Sequence, residues 1–477
     1  MFRTRTLELL TNSLLLVITV ATTATLVGTA QAWLTIRSGI RFRSVLAILS
    51  MLPLAIPSYV AAFSWIAFIP GLSGFVAAWL ILSLGTAPYV YLAVTASLLR
   101  TDGAAEEVAR SLGFSVFKTF TRVTWPMIRP AALSGGLIAA LYALSDFGAV
   151  SLVRYDTFTR AIFNAYRSSF DRNLAASLAT FLVIITALIL YAQQRLSREV
   201  LTTSARPRMA HLTSLRYEKT AMSALLFVAI LGVGIPILSL ARAMNQGLSS
   251  ADLGEIYRAT INTLGFAASG ALVVSVFAVA IALVVSRYVS RSSRALESIM
   301  WLTHSLPGIV VALSIVFFSN RMVPALYQTS VLVVITYAIL FVPNAVAVIK
   351  TPLQQVSHSV IEVSRTLGYS PARVISRVLL PIARPAIVSG AALVALTIIK
   401  ELPATLLLRP TGIETLATRL WSATSINAFG QAAPYAFLLI VLAGIPALAL
   451  NSQVRKTYRQ HHENPMSSAT KTLKVSG

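Results

Sequence analysis

Two charged octets, EEVARSLG at residues 106–113 and IEVSRTLG at residues 361–368, decide the fold of this chain. They begin two longer copies, EEVARSLGFSVFKTFTRVTWPMIRPAALSGG and IEVSRTLGYSPARVISRVLLPIARPAIVSGA, which align without a gap at an offset of 255 residues. Upstream, Pro57 aligns with Pro307 at an offset of 250. A match of this length indicates an internal repeat, so the chain contains two copies of one unit. The aligned identities are Glu107 with Glu362, Arg110 with Arg365, Gly113 with Gly368, Arg122 with Arg377, Pro126 with Pro381, and Pro88 with Pro343.

The composition places this repeat in a membrane. Of the 477 residues, 56% are hydrophobic and 12% are charged, and the mean hydropathy is +0.76. Soluble domains carry about 25% charged residues. The net charge of +23 fits basic cytoplasmic loops, so we do not expect nucleic acid as a partner. The chain has no cysteine, which excludes disulfides and thiolate metal sites.

Apolar runs long enough to cross a bilayer predict an all-α polytopic membrane protein with about eleven transmembrane helices in contact with lipid. A β-barrel would show short alternating segments instead. The predicted spans lie near 13–34, 45–69, 74–99, 131–153, 176–194, 221–241, 262–287, 299–319, 328–349, 386–408 and 433–450.

The parity of the spans predicts how the two halves are related. Six spans separate equivalent points, so both halves have the same orientation and pair about a pseudo-twofold axis along the membrane normal. Basic residues concentrate in one alternate set of loops, which predicts that both octets and the C-terminus are cytoplasmic. The first apolar run also has the outline of a signal peptide, but Asn12 opens it as Asn262 opens the equivalent span. We therefore expect a retained helix.

Each octet predicts a helical elbow in the cytoplasm. Gly113 and Gly368 suit the left-handed residue that ends a helix, and Ser115 and Ser370 suit the cap of a second one. Proline, at 126 and 381, is expected to end the unit before the next span. A single elbow is adequately explained as a solvated loop. Two matching elbows favour a partner that binds the chain twice.

These segments resemble the EAA loop of ABC-transporter permeases, although Glu107-Val108-Ala109 and Glu362-Val363-Ser364 depart from the full triplet. The resemblance implies the ABC type-1 permease fold and elbows that dock on two copies of an ATP-binding subunit. This chain has no G-x-x-x-x-G-K-[ST] phosphate loop, so we expect a permease subunit that is not an enzyme. The coupling residues implied are Glu107, Arg110, Gly113, Pro126, Glu362, Arg365, Gly368 and Pro381.

The cargo is indicated by resemblance alone. The stretches at 145–166 and 400–421 resemble iron(III) importers of the FbpB type. This implies a multi-pass protein of the bacterial inner membrane, supplied by a periplasmic or extracellular solute-binding protein, and usually twelve spans. Thiamine or another small solute is the alternative cargo. An ion-coupled carrier or channel would carry more charges within its spans and no paired elbows. We expect no cofactor, no resident metal and no catalytic residues.

The predicted division of the chain follows the repeat. It comprises a first transmembrane domain at 8–195, a basic cytoplasmic linker at 196–220, an extra helix and external loop at 221–259, a second transmembrane domain at 260–450, and a cytoplasmic tail at 451–477. Asp146 and Glu401 occupy equivalent positions inside spans. Intramembrane acids are expensive and commonly functional, so this pair is a candidate lining of the transport pathway. The alternative is that each pairs with a neighbour, such as Lys400 or Arg154, or caps a helix break.

Overall fold

The computed structural model describes residues 4–101, 103–167, 171–200, 218–247, 252–287 and 290–444. These residues are helical with short connections, and they contain no strand. Most of the predicted linker, the predicted tail and the end of the last predicted span lie outside the described residues.

The first half consists of ten α-helices, two of which are joined by a π-helical turn. They are α1 (Thr4–Arg37), α2 (Arg43–Met51), α3 (Ser58–Phe68), α4 (Gly74–Arg100), α5 (Ala104–Ser111), α6 (Val116–Thr119), α7 (Trp125–Ser145), α8 (Gly148–Leu152), α9 (Phe158–Arg167) and α10 (Arg172–Val200). The π-helical turn at Phe120–Thr124 connects α6 to α7.

The second half repeats this order after one additional, π-interrupted helix, α11 (Glu218–Ala229) with α12 (Ile235–Gly247). The repeated helices are α13 (Leu253–Arg287), α14 (Arg291–Ser305), α15 (Gly308–Met322), α16 (Ser330–Gln355), α17 (His358–Thr366), α18 (Pro371–Val374), α19 (Leu380–Ile399), α20 (Pro403–Leu408), α21 (Leu416–Ser425) and α22 (Phe429–Gly444).

The predicted fold class, an all-α membrane protein built from two parallel repeats, is confirmed. Eight helices in the described part are long and apolar enough to cross a membrane. A ninth span is possible if α2 and α3 are counted together, and α15 and α22 are shorter apolar helices. The predicted number of eleven spans is therefore not confirmed.

Three predicted spans are interrupted where the sequence suggested continuous helices. The predicted span at 45–69 bends by 98° between α2 and α3, where Pro57 has an extended ψ of 145°. The predicted spans at 131–153 and 386–408 each stop early, because α7 ends at Ser145 and α19 at Ile399. A short helix follows each stop. Apolar composition alone does not reveal such breaks, because the residues on either side remain hydrophobic.

Each half is built around three packed helices. In the first half α1 packs on α4 and α7, and in the second half α13 packs on α16 and α19. Glycine makes the closest approach possible: a Cβ on Gly28 of α1 would lie 2.6 Å from the carbonyl oxygen of Ala87 and 2.9 Å from the backbone nitrogen of Tyr91. Small residues at such crossings are typical of membrane helices, since lipid supplies no hydrophobic force between helices.

The additional helix of the second half packs on the first half. Residues of α12 contact α3, and residues of α11 contact α2. The carboxylate of Glu218 accepts a hydrogen bond of 2.7 Å from the backbone N–H of Arg41. Gly232, in the π turn between α11 and α12, lies against the ring of Pro53. The additional helix therefore joins the two halves.

The close approach at Gly28 leads to a stability prediction. Gly28→Ala places a methyl group against backbone atoms of α4, so α1 must move away, and we expect the free energy of unfolding to fall by about 1–3 kcal/mol. Gly265→Ala in α13 is the matched control, because it makes the same change within a helix where no atom lies within 4 Å. Thermal unfolding midpoints of the purified variants would measure both effects. Equal midpoints for the two variants would contradict the close-packing argument.

Candidate functional sites

Both elbows have the same hydrogen-bonded helix stop. In the first, Gly113 has φ of 82° and donates its N–H to Arg110 O at 2.9 Å, while Phe114 N–H reaches Ala109 O at 3.1 Å. In the second, Gly368 has φ of 79°, and the equivalent bonds are also 2.9 and 3.1 Å. This pair of bonds is a Schellman motif, which turns the chain sharply and satisfies carbonyls at the helix end. The predicted glycine stops are present.

The second helix of each elbow is capped as the sequence predicts. The Ser115 hydroxyl accepts from Lys118 N–H at 3.3 Å, and the Ser370 hydroxyl accepts from Arg373 N–H at 3.4 Å. The same basic side chains lie over aromatic rings at equivalent positions, Lys118 over Phe114 and Arg373 over Tyr369. The two elbows are thus alike in both backbone and side-chain arrangement.

The elbows expose apolar side chains at equivalent positions. Val108 and Val363 are each 57% exposed, and Leu112 and Leu367 are each 72% exposed. The structure shows that the apolar side is open to the surroundings.

The predicted prolines do not end the elbow unit. Pro126 lies in the first turn of α7 and Pro381 in the first turn of α19, and the helical path is continuous at Val116–Ser145 and Pro371–Ile399. A π-helical turn precedes each proline. The wider π turn accommodates the proline ring and its missing N–H, so the helix continues through the proline and the expected break does not occur. Each elbow is therefore joined rigidly to a span.

Two arginines attach the elbows to the helix cores. Arg37, the last residue of α1, donates to Leu98 O at 3.0 Å and to the Thr101 hydroxyl at 3.0 Å. Arg287, the last residue of α13, donates to Leu353 O at 2.8 Å and to Val356 O at 3.1 Å. Both satisfy carbonyls at the C-terminal ends of the helices that lead into the elbows, α4 and α16.

Only the first elbow adds an ion pair to this arrangement. Arg37 Nε lies 3.4 Å from Glu106 Oε1, and both side chains are almost fully buried. Ile361 stands at the position equivalent to Glu106 in the second half. The repeat pattern indicates Glu107, which matches Glu362, and gives no indication of Glu106. Spacing along the chain gives no signal for a contact between residues of two separate helices.

The remaining predicted coupling residues lie on the elbows and vary in exposure. Glu107 and Arg110 of α5 are half-buried, whereas Glu362 and Arg365 of α17 are exposed. Their predicted role in coupling remains a prediction.

Asp146 and Glu401 lie at the helix breaks and cap the short helices that follow. Asp146 Oδ1 accepts from the N–H groups of Ala149 at 2.9 Å and Val150 at 3.3 Å. Glu401 Oε1 accepts from Ala404 N–H at 3.0 Å. This geometry fits the alternative that the acids cap breaks, and their role in a pathway remains a prediction. Of the neighbours considered for Glu401, Lys400 instead donates to Leu54 O of the first half at 3.0 Å.

The two caps reach the same geometry with different residues. In the first half Ser58, at the start of α3, donates a hydrogen bond to Asp146 Oδ2. In the second half the equivalent position is Gly308, where an added Cβ would lie 3.3 Å from Glu401 Oε1. The longer glutamate thus occupies space that serine fills beside the shorter aspartate.

Equivalent aromatic residues meet where the halves join. The loops after the breaks align at an offset of 258, because Asn12 donates to Asp156 O as Asn262 donates to Glu414 O. At that offset Phe163 of α9 is equivalent to Trp421 of α21, and their rings pack edge to face with centroids 6.3 Å apart. A contact between equivalent residues lies on the pseudo-twofold axis. The Phe147 ring packs against both, at 4.8 Å from Phe163 and 5.1 Å from Trp421.

The comparisons with known proteins agree with this architecture. The family described as binding-protein-dependent transport system inner membrane component matches residues 24–201 and 274–455. The Fe(3+)-transport system permease protein FbpB 2 of Haemophilus influenzae is 34% identical over 96% of this chain and 92% of its own length. The ferric transport system permease protein FbpB of Actinobacillus pleuropneumoniae is 23% identical over 80% of this chain and 62% of its own length. A solved chain of the MetNI methionine ABC transporter, 20% identical, matches 42% of this chain and 95% of its own length with a TM-score of 0.36.

Two parallel helical repeats, each carrying an elbow fused to a span, define a duplicated multi-pass membrane permease. The chain belongs to the binding-protein-dependent transport system inner membrane component family, and the predicted resemblance to FbpB-like ABC permeases is confirmed.

The buried ion pair of the first elbow gives a local prediction. Glu106→Gln leaves the Arg37 charge buried without its counter-ion, and we expect amide hydrogen exchange in α5 to accelerate by roughly 10- to 100-fold, from a loss of about 1.5–3 kcal/mol. Exchange in α17 of the same molecule is the internal control, because that elbow has no such pair. Unchanged exchange in α5 would show that Glu106 does not hold the elbow.

The pair Asp146 and Ser58 should be replaceable by the glutamate and glycine found in the second half, but only when both residues are changed together. Asp146→Glu alone crowds the Ser58 hydroxyl, and we expect a stability loss of about 1–3 kcal/mol. Adding Ser58→Gly recreates the arrangement of the second half and should recover most of that loss. Thermal unfolding of the single and double variants measures the coupling between the sites. Additive effects of the two substitutions would refute the proposed equivalence.

Proposed function

We propose that this chain is the permease subunit of an ATP-driven importer that moves iron(III), delivered by a separate periplasmic or extracellular solute-binding protein, into the cytoplasm. Two copies of an ATP-binding subunit bind the elbows and hydrolyse ATP. The chain resides in a bacterial inner membrane, with the elbows and the C-terminus in the cytoplasm. This orientation follows the concentration of basic residues in the elbow-side loops.

The observation that carries this proposal is the equality of the two exposed elbow surfaces. Each presents a valine and a leucine to the same degree, on helices with the same stop and cap. Exposed apolar side chains at the centre of such a surface are typical of a protein interface. Two equal surfaces related by a pseudo-twofold axis fit a partner with two identical grooves.

The continuity of the elbow with its span provides the mechanical link. The helical rod Val116–Ser145 contains 30 residues and is therefore about 45 Å long. It begins at the elbow and ends at the break capped by Asp146, close to the aromatic contact on the axis. A displacement of the elbow by a partner therefore moves the far end of the span. The rod Pro371–Ile399 repeats this connection in the second half.

Iron(III) is supported by the relatives, whose names describe Fe(3+) or ferric transport permeases. The described residues contain no group of three or more His, Cys, Asp or Glu side chains placed to hold a metal ion. In the proposed mechanism the solute-binding protein supplies the selectivity, and the permease provides a path that releases its cargo.

The cargo is tested by uptake measurements in cells with and without the gene. Cells lacking the gene should lose uptake of radioactive ferric iron and keep uptake of labelled thiamine. Loss of thiamine uptake alone would replace iron as the cargo. Dependence of uptake on a proton or sodium gradient, with no dependence on ATP, would replace the importer with an ion-coupled carrier.

Charge reversal at both elbows tests the coupling residues. Glu107→Lys together with Glu362→Lys places cations on the face proposed to meet the ATP-binding subunits, and we expect uptake to fall at least about tenfold, because like-charge or mismatched contacts cost several kcal/mol. Glu8→Lys is the control, because Glu8 is exposed near the start of α1, whereas it is the last residue of α1, Arg37, that contacts the first elbow. Membrane-inserted protein should be equal in all variants. Full uptake by the double variant would remove these residues from the coupling surface.

A further inference from the structure

A cavity of about 430 Å³ lies at the end of the molecule opposite to the elbows. Its lining includes Phe163 and Trp421, so it sits directly beside the aromatic contact on the pseudo-twofold axis. The loop before α4 and the loops after α8 and α21 complete the wall. This position is where the proposed path between the halves would open to the outside.

The charge of this cavity is positive. Arg154 and Arg160 both line it, and no acidic residue is found among the described residues of its wall. Arg160 forms an ion pair with Asp156, which lies outside the lining and is half exposed. Arg154 is exposed and forms no ion pair within the described part of the chain. Its guanidinium remains available.

The equivalent arginine of the second half, Arg409, is not available in the same way. Arg409 follows α20 as Arg154 follows α8, and it pairs with Glu414 at 2.6 Å and donates to Ile413 O at 2.8 Å. Asp156 is the loop acid equivalent to Glu414, and it forms its ion pair with Arg160. Arg154 also adopts a left-handed backbone with φ of 59°, whereas Arg409 has φ of −58°. Arg409 therefore has an ion-pair partner within the chain, whereas Arg154 has none among the described residues.

Polar groups beside Arg154 complete a site for an oxygen-rich ligand. Ser151 is among the residues that line the cavity, and its hydroxyl oxygen is buried without a hydrogen-bond partner among the described residues. Asn164, Asn427 and Ser73 add further polar residues to the wall. Arginine and hydroxyl donors are the usual partners of carboxylate and phosphate oxygens.

We propose that this outer cavity binds an oxyanion, a carboxylate or a phosphate, through Arg154 with support from Arg160. The role in transport rests on the proposed function: a positive mouth repels a bare trivalent cation, so cargo must arrive with an anionic group. That group comes either from an oxyanion that accompanies the metal ion or from an acidic side chain of the delivering protein. Both present the same chemistry to Arg154.

Trp421 provides a direct probe of the cavity in the full-length chain reconstituted in lipid nanodiscs. The difference in fluorescence between the wild type and Trp421→Phe isolates its emission. The measured quantity is the ratio of quenching by iodide to quenching by neutral acrylamide. This ratio should be roughly two- to threefold higher in the wild type than in Arg154→Gln, because a unit charge at close range concentrates anions by about that factor. Arg321→Gln, the same charge change at the exposed end of α15, should leave the ratio unchanged.

Inorganic phosphate is the competing ligand. It should protect Trp421 from iodide in the wild type and in Arg321→Gln, and not in Arg154→Gln. Equal quenching ratios in the wild type and Arg154→Gln, or no protection by phosphate in the wild type, would overturn the proposed site. These measurements need no transport, so they stand even where ferric iron proves not to be the cargo.

The complete transporter distinguishes the two sources of the oxyanion. If Arg154→Gln weakens binding of the delivering protein severalfold, its acidic side chain occupies the cavity. If that binding is unchanged and ferric uptake falls, the oxyanion arrives with the metal ion. If both are unchanged, the cavity has no role in transport and that part of the proposal is wrong.

Discussion

The constraint on which this structure depends is the need to satisfy backbone polar groups wherever a helix ends inside the membrane. Lipid offers no hydrogen bonds, so an uncapped helix end there costs several kcal/mol for each unpaired group. The breaks after α7 and α19 exist because Asp146 and Glu401 supply the missing acceptors. At the elbow end, Arg37 and Arg287 supply donors to the last carbonyls of α4 and α16. Asp146 and Glu401 thus cap the breaks inside the membrane, and the two arginines satisfy the helix ends on the elbow side.

These same capped breaks connect architecture to mechanism. Ending α7 at Ser145 redirects the chain, and α8 and α9 then bring Phe147 and Phe163 to Trp421 on the axis. The elbow and this contact lie at opposite ends of one rigid rod. Asp146 thus shapes the region around the axis through the helix break that it caps.

The sequence revealed what depends on neighbouring residues and missed what depends on distant ones. The repeat, the all-α class, the glycine stops and the serine caps follow from short patterns and agree with the structure. The predicted span bounds do not show the 98° bend before α3 or the breaks at Ser145 and Ile399, although a helix break capped by Asp146 or Glu401 was one of the alternatives. The helical continuity through Pro126 was not predicted, because the π turn that precedes it leaves no local signature. The Arg37–Glu106 pair and the on-axis aromatic contact join segments far apart in sequence, so spacing gave no clue to either.

The distribution of differences between the halves has a physical explanation. A twofold partner requires equal geometry at both elbows, and there the stops, the caps and the exposed valine and leucine match. The interior requires only that each polar group be satisfied, and different residues achieve this. At the breaks the first half uses Asp146 and Ser58 where the second half uses Glu401 and Gly308. The first elbow also has the buried Arg37–Glu106 ion pair. At the outer end of the molecule the halves also differ, because Arg154 is exposed without an ion pair among the described residues whereas its equivalent, Arg409, pairs with Glu414.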